Sequence, residues 1–496
     1  MPDPDSSPHN HRVDLVAGFA LLAAVLIISA LMAGIVERAP LSFPMLFVGL
    51  GVLAGPRGLD VVDIGIRDPA LEIVATSTLA LVLFLDAVNL EFARERHEWL
   101  VPALSLGPGT LLIVLLIAGS AILLFDVSPV IAFLLGAILS STDPVVLRDV
   151  VRDRRLPMSV RQALKIEAGT NDVIVLPLLL VLIAIGNNEV GSAGEWIGFA
   201  AKLLLLGPLV GFAVGAVGAD LMARADARFG IRREYQALYG IGLVLGAYAS
   251  GVGVGGDGFL AAFAAGFAVT VLDRDLCDCF LEFGEAAAEM LMLIAFVMFG
   301  VVVSKSLGIL DLPQALAFAG VVIFVIRPLA IGSVLSLRAT RLSRGAQMFI
   351  AWFGPRGLNS MLFAMLVVLA DVPGSGLLFA AAGLVVLVSV VAHGVSATPL
   401  VNQYAHRMEG STLDEEREST AAGLFLSSPE EVERITVEEL HSLLQHADPP
   451  IVLDVRSRSQ YQHDEGQIPG GVRVMPDEVA SWAVQHPARL IVPYCT

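Results

Sequence analysis

Residues 129–147 read Pro129-Val130-Ile131-Ala132-Phe133-Leu134-Leu135-Gly136-Ala137-Ile138-Leu139-Ser140-Ser141-Thr142-Asp143-Pro144-Val145-Val146-Leu147. The stretch is apolar enough to lie in lipid, yet a carboxylate and a proline stand inside it. An ionisable group at mid-membrane costs at least about 2.5 kcal/mol, so one that persists inside a span is a functional candidate by default. Pro144 has no amide proton and its ring crowds the preceding turn, so the helix is expected to open there and leave carbonyls unpaired. Open backbone survives at that depth only where it is buried in protein or lines a wet cavity. Freed carbonyls and Ser or Thr hydroxyls are hard oxygen ligands, which suit an alkali cation. A plain proline kink capped by Asp143 is the competing reading.

The rest of the chain agrees with a lipid solvent. Its 496 residues are 56% hydrophobic and only 16% charged, against roughly 25% charged in soluble domains. Long apolar runs lie near 15–36, 41–55, 71–90, 102–125, 129–151, 162–185, 196–219, 234–250, 257–272, 286–304, 314–337, 346–370 and 376–403. A spanning helix needs about 20 such residues and open sheets are excluded from lipid, so an all-α polytopic membrane protein of about thirteen transmembrane helices is expected. The run from Leu15 exceeds the apolar core of a signal peptide and is read as a retained helix. With the N-terminus outside, the inner loops collect Arg94, Arg96, Arg152, Arg155, Arg224, Arg232, Arg338 and Arg344, while the outer ones keep Arg57, Arg67 and Lys305. Positive charge marks the cytoplasmic side, so the C-terminal tail is placed there, in a multi-pass plasma or inner membrane protein. Much of the formal charge of −17 follows residue 410; nucleic-acid binding has no support. Cys277 and Cys279 lack the further ligands of a zinc site, and no cofactor is expected.

Other intramembrane charges are Asp86, Asp172, Arg327 and Arg356, with Glu167 close to the start of the sixth run. The twelfth run carries its own interruption, Gly354-Pro355-Arg356-Gly357. Breaks at corresponding places in two halves point to inverted repeats crossing at a transport site, here spans one to six and eight to thirteen. Asp143 and Arg356 are opposite in sign, and each suits the partial charge of a facing half-helix end. In Glu167-Ala168-Gly169-Thr170-Asn171-Asp172 the two acids are separated by about 140° around a helix, so they serve different ends. Glu167 is able to meet a cation from another helix, and Arg327 is the long-armed choice. Asp172 has no evident counter-ion. A desolvated carboxylate in that position takes either a proton or a metal cation, and this competition suffices to exchange one for the other.

Thr142-Asp143-Pro144, Glu167 through Asn171-Asp172, Arg327-Pro328 and Gly354-Pro355-Arg356-Gly357, in that order, resemble the monovalent cation:proton antiporter-1 family of sodium/proton exchangers over residues 13–404. The resemblance implies a homodimer whose protomers move a core of about six helices against a dimerisation scaffold. It implies that Asp172 carries Na+, K+ or Li+ in exchange for H+, with Thr142 and Asp143 beside it. It also implies a Glu167–Arg327 pair and a place for Asp86 on the ion route. The Asn171-Asp172 form resembles the electroneutral branch. Ala168, where many relatives have serine, and Pro355, where leucine is usual, are departures that remove no charge.

After a polar linker over 405–430, residues 431–496 change character. A helical pattern at Val437 to Gln445, an apolar run at Pro450 to Val455, a second helix over 477–485 and a run at Arg489 to Tyr494 read as a small α/β module. Leu453-Asp454-Val455-Arg456, Tyr461, Gly466-Gln467-Ile468-Pro469-Gly470 and Cys495 resemble a partial rhodanese domain. The amide loop that cradles a rhodanese sulfur would follow Thr496, so a regulatory role is expected of the tail rather than sulfur transfer. A membrane-tethered sulfurtransferase and a cation channel are the rival readings. The first would make Cys495 essential; the second would pass cations without proton counterflow.

Overall fold

Backbone in lipid must satisfy its own hydrogen bonds, and in the computed structural model of the chain it does so almost wholly as helix. The structure describes residues 23–32, 42–89, 100–153, 155–188, 191–272, 278–337, 342–408, 437–445, 449–456, 466–475, 478–479, 482 and 490–494. Its helices are α1 Ala23–Met32, α2 Phe43–Ala54, α3 Pro69–Val88, α4 Leu100–Phe125, α5 Pro129–Ser140, α6 Pro144–Arg152, α7 Met158–Gly186 and α8 Gly194–Phe229. There follow α9 Arg233–Gly253, α10 Gly258–Val271, α11 Asp278–Ser306, α12 Leu312–Leu335, α13 Arg344–Trp352, α14 Leu358–Leu369 and α15 Ser375–Met408. Seven of them are long and apolar enough to cross a membrane. The chain is therefore a mostly helical, multi-pass membrane protein.

The helices pack as two groups. In one, α2, α3 and α8 to α11 approach through small residues, as membrane helices do when backbones must come close. A β-carbon on Gly211 or Gly215 of α8 would strike the backbone of Ala261 or Ala265 in α10, and one on Gly51 of α2 would strike Val297 in α11. The other group holds α4 to α7 and α12 to α15. Its centre is a pair of interrupted helices. Ser128 caps α5, which ends at Ser140; residues 141–143 are extended, and Asp143 then caps α6 by accepting from Val145 N–H at 2.8 Å. In the second interruption α13 stops at Trp352 and α14 begins at Leu358. The two openings cross and share a backbone bond, Asp143 N–H to Pro355 C=O at 2.8 Å.

Three helices carry a turn of π-helix: α4 at Ser105–Gly109, α8 at Lys202–Leu206 and α12 at Val322–Ile326. Each has a proline in it or within two residues after it, and proline's missing amide removes a bond the α ladder needs. In the tail, helix α16 Val437–Leu444 precedes strands β1 Ile451–Asp454, β2 Val472–Arg473 and β3 Ile491–Tyr494, a parallel sheet in the order β2-β1-β3. Burial would push the Asp454 carboxyl up, but hydrogen bonds from Arg456 hold it below the usual carboxylate range. Of the expected 477–485 helix only residues 478, 479 and 482 are described, and Tyr461 and Cys495 lie outside the described residues.

Candidate ion-binding site at the helix crossing

Four half-helix ends meet where the openings cross, and each meets a side chain of suitable sign. The Asp143 carboxylate sits at two N-termini: Oδ1 accepts from Val145 of α6, and Oδ2 accepts from Leu358 N–H of α14 at 2.8 Å. Arg356 covers the C-terminus of α5, its Nη1 donating to Ser140 C=O at 3.0 Å and Ser141 C=O at 2.8 Å. Arg327 covers the C-terminus of α13, with Nη2 donating to Phe353 C=O at 2.7 Å. Unpaired amides carry partial positive charge and unpaired carbonyls partial negative charge, so this distribution stabilises two openings that apolar side chains would leave exposed. Arg356 is fixed further by its own N–H, which donates to Ser389 Oγ of α15 at 2.7 Å.

Arg327 also stands 2.7 Å from Glu167 Oε1, both side chains almost fully buried, as a charge contact rather than an aligned hydrogen bond. Glycine makes room for these charges. A β-carbon on Gly354 would fall on the Arg327 guanidinium, and one on Gly357 would fall on the Asp143 carboxylate.

Asp172 projects from α7 into the crossing with no exposed surface. Its Oδ1 accepts from Ser141 Oγ at 2.5 Å and its Oδ2 accepts from the Asn359 amide of α14. Among the described residues it makes no ion pair. Asn171 donates to Ser140 C=O at 2.8 Å and to Thr142 Oγ1 at 3.3 Å, while its own Oδ1, buried, has no partner among the described residues. Asp86 lies on α3, across from Gly169, one turn of α7 before Asp172, and its Oδ2 is buried without a partner among the described residues. The crossing thus combines two carboxylates without an ion pair among the described residues, Asp143 held by backbone amides and Asp172 by side-chain donors, with hydroxyl, amide and carbonyl oxygens. These are donors for a hard monovalent cation, and a carboxylate competes for a proton in the same place.

Thr142, Asp143, Asn171, Asp172 and Arg356 come together there; Glu167 and Arg327 form a separate buried pair beside it, and Asp86 approaches from the other helix group. Ser141, Asn359, Ser389 and His393 belong to the assembly too; the sequence reading included Ser141 only among the hydroxyls beside Pro144 and gave the other three no role. His393 of α15 places Nδ1 2.9 Å from Ser389 C=O and Nε2 3.2 Å from Trp352 C=O. As an ionisable residue within an apolar run it met the test that singled out the acids. Asn359 is neutral, and nothing in spacing ties it to Asp172.

Comparison with known proteins bears on these arrangements. The model of the sodium/hydrogen exchanger transmembrane family matches residues 25–403. The K(+)/H(+) antiporter NhaP of Alkalimonas amylolytica is 28% identical over 359 residues, covering 72% of this chain and 61% of that protein. The K(+)/H(+) antiporter NhaP2 of Shewanella sp. (strain MR-4) is 30% identical over 397 residues, covering 78% and 67%. The chain therefore spans about two thirds or less of these relatives' length. The structure of the sodium proton antiporter MjNhaP1 from Methanocaldococcus jannaschii superposes with a TM-score of 0.63 at 21% identity, over 79% of this chain and 99% of that one, which is a likeness of fold. With the family model matched over most of its length, the chain belongs to the sodium/hydrogen exchanger transmembrane family.

Proposed function

We propose that the protein is a secondary transporter, not an enzyme, which exchanges a monovalent cation for H+ across the membrane, with Asp172 as the group for which the two compete. The observation that carries the reading is the fully buried Asp172 carboxylate, held by neutral donors where two opened helices cross. A permanent counter-ion there would make occupancy unnecessary; neutral donors leave the charge to be balanced by a proton or a cation. In this reading each half-cycle moves one neutralised site, and exchange is electroneutral. Thr142, Asn171 and Asp143 shape the site, Asp86 lines the approach, and the Glu167–Arg327 pair keeps the core intact.

The two packing groups support an alternating-access cycle in which α4 to α7 and α12 to α15 move against α2, α3 and α8 to α11. About thirteen crossings, with an outside N-terminus and cytoplasmic C-terminus, fit the arginine distribution. The inverted repeat is supported by breaks in the fifth and twelfth runs and π turns in the fourth and eleventh, each pair separated by the same number of runs. A homodimer through the first packing group and a regulatory, rhodanese-like tail complete the proposal. The names of the relatives divide between K+ and Na+, so either is a substrate to test.

The experiment is fluorescence dequenching in acid-loaded proteoliposomes on addition of Na+, K+ or Li+, with and without an imposed potential. Dequenching that ignores the potential and disappears in Asp172→Asn is expected. Parental exchange by Asp172→Asn would remove the assignment, and cation current without proton movement would replace the antiporter with a channel.

A further inference from the structure

Asn359 stands in the first turn of α14, 2% exposed, and its amide nitrogen donates to Asp172 Oδ2. It is the one side chain from the second half of the chain, among the described residues, with a hydrogen bond to that carboxylate. Its aim is fixed by the break. Leu358 N–H is tied to Asp143 Oδ2, and Gly357 adopts φ −150° and ψ −136° where a β-carbon would collide with the same carboxylate. The start of α14 is thereby pinned to Asp143 and presents its second residue to Asp172. The other oxygen of Asp172 is held from the first half of the chain by Ser141.

The choice of an amide has a chemical consequence. A carboxamide carries two N–H donors and one carbonyl acceptor on a single rotatable plane. It donates to Asp172 when the carboxylate is bare, accepts from it when the carboxyl is protonated, and turns a hard carbonyl oxygen to an alkali cation when one arrives. A positively charged side chain would satisfy only the first of these states, and a hydrocarbon none. We infer that Asn359 is a specificity-determining residue of the ion site, a neutral group that serves each occupancy of Asp172 and sets the balance between cation and proton. The inference rests on the exchange reading above, and it assigns affinity and ion preference, rather than the capacity to exchange, to the second half of the chain.

The test uses the full chain in proteoliposomes, with half-saturating concentration and maximal rate for Na+, K+ and Li+ measured across pH. A hydrogen bond to a charged group contributes about 1.5–3 kcal/mol, so Asn359→Leu is expected to move the half-saturating cation concentration about tenfold or more. The Na+:K+ preference ratio and the pH of half-maximal exchange should move with it. Asn359→Ala should move the same quantities less, since water fills the space, and Asn359→Ser should fall closest to the parent. If Asn359→Ala and Asn359→Leu keep the parental concentration, ratio and pH profile, the inference is overturned. Should the leucine variant not fold, a parental alanine variant overturns it alone. Asp172→Asn separates the two levels: its inactivity beside parental Asn359 variants sinks only the role of Asn359, whereas its parental activity sinks the exchange reading itself.

Discussion

Arg327 holds two partners at once, the Glu167 carboxylate and the end carbonyl of α13. Its removal leaves a charge uncompensated in a dry core, which in soluble proteins costs about 3–5 kcal/mol. Arg327→Ala should therefore lower the thermal midpoint in detergent markedly, and the paired change Arg327→Met with Glu167→Gln should recover much of the loss. An unaltered midpoint for the single variant would contradict a structural role for the pair. At this scale the sequence was informative wherever a charge stood in an apolar run, because lipid makes such a residue expensive and hence conspicuous. Asp143, Asp172, Arg327 and Arg356 were read that way. Serine and asparagine carry no charge and stand out less in an apolar run, so Ser389 and Asn359 gave no comparable signal, Ser141 was read only as one of the hydroxyls beside Pro144, and the Asn359–Asp172 contact joins residues far apart in the chain.

Pro144 and Pro355 announced the two interruptions, and α5, α6, α13 and α14 divide beside them. The π turns in α4, α8 and α12 were not read from the sequence: Pro108, Pro208 and Pro328 mark where the helical ladder loses an amide, but a proline alone does not say whether a helix breaks, kinks or takes in an extra residue. Nor did the sequence reveal how the openings are held apart from the charges they carry. Ser389 Oγ accepts the N–H of Arg356, and His393 links the same turn of α15 to Trp352 C=O at the end of α13. Ser389→Ala should leave that N–H unsatisfied at a cost of about 1–3 kcal/mol. Amide exchange over residues 353–357 should then quicken while that of α8 and α10 stays as before. Equal protection in both proteins would mean that the serine does not hold the second break.

The two packing groups meet at few polar contacts, and one is informative about motion. Arg148 of α6 lies 2.8 Å from Glu289 of α11, each side chain about a third exposed, at 31% and 37%. If one group slides against the other, this pair must part in every cycle. Cysteines at both positions, Arg148→Cys with Glu289→Cys, bridged by a bifunctional methanethiosulfonate reagent, should stop exchange and release it on reduction. Full exchange while cross-linked would place the motion elsewhere. The tail touches the second packing group as well: Arg161, in the first turn of α7, donates to Glu478 of the α/β module. Deletion of residues 411–496 is expected to shift the pH or cation dependence of transport, and an identical profile would end the regulatory reading. Helix order and a parallel sheet in the tail were visible in apolar patterning; the division into two groups was not, because lipid-facing and protein-facing residues are equally apolar. In the proposed exchange a proton and an alkali cation exclude one another at Asp172. The most direct measurement is the half-saturating cation concentration as a function of pH in proteoliposomes. Mutual exclusion predicts a rise of about tenfold per pH unit on the acid side, one proton being displaced per cation bound. A half-saturating concentration that stays constant while the rate falls with acid would contradict it.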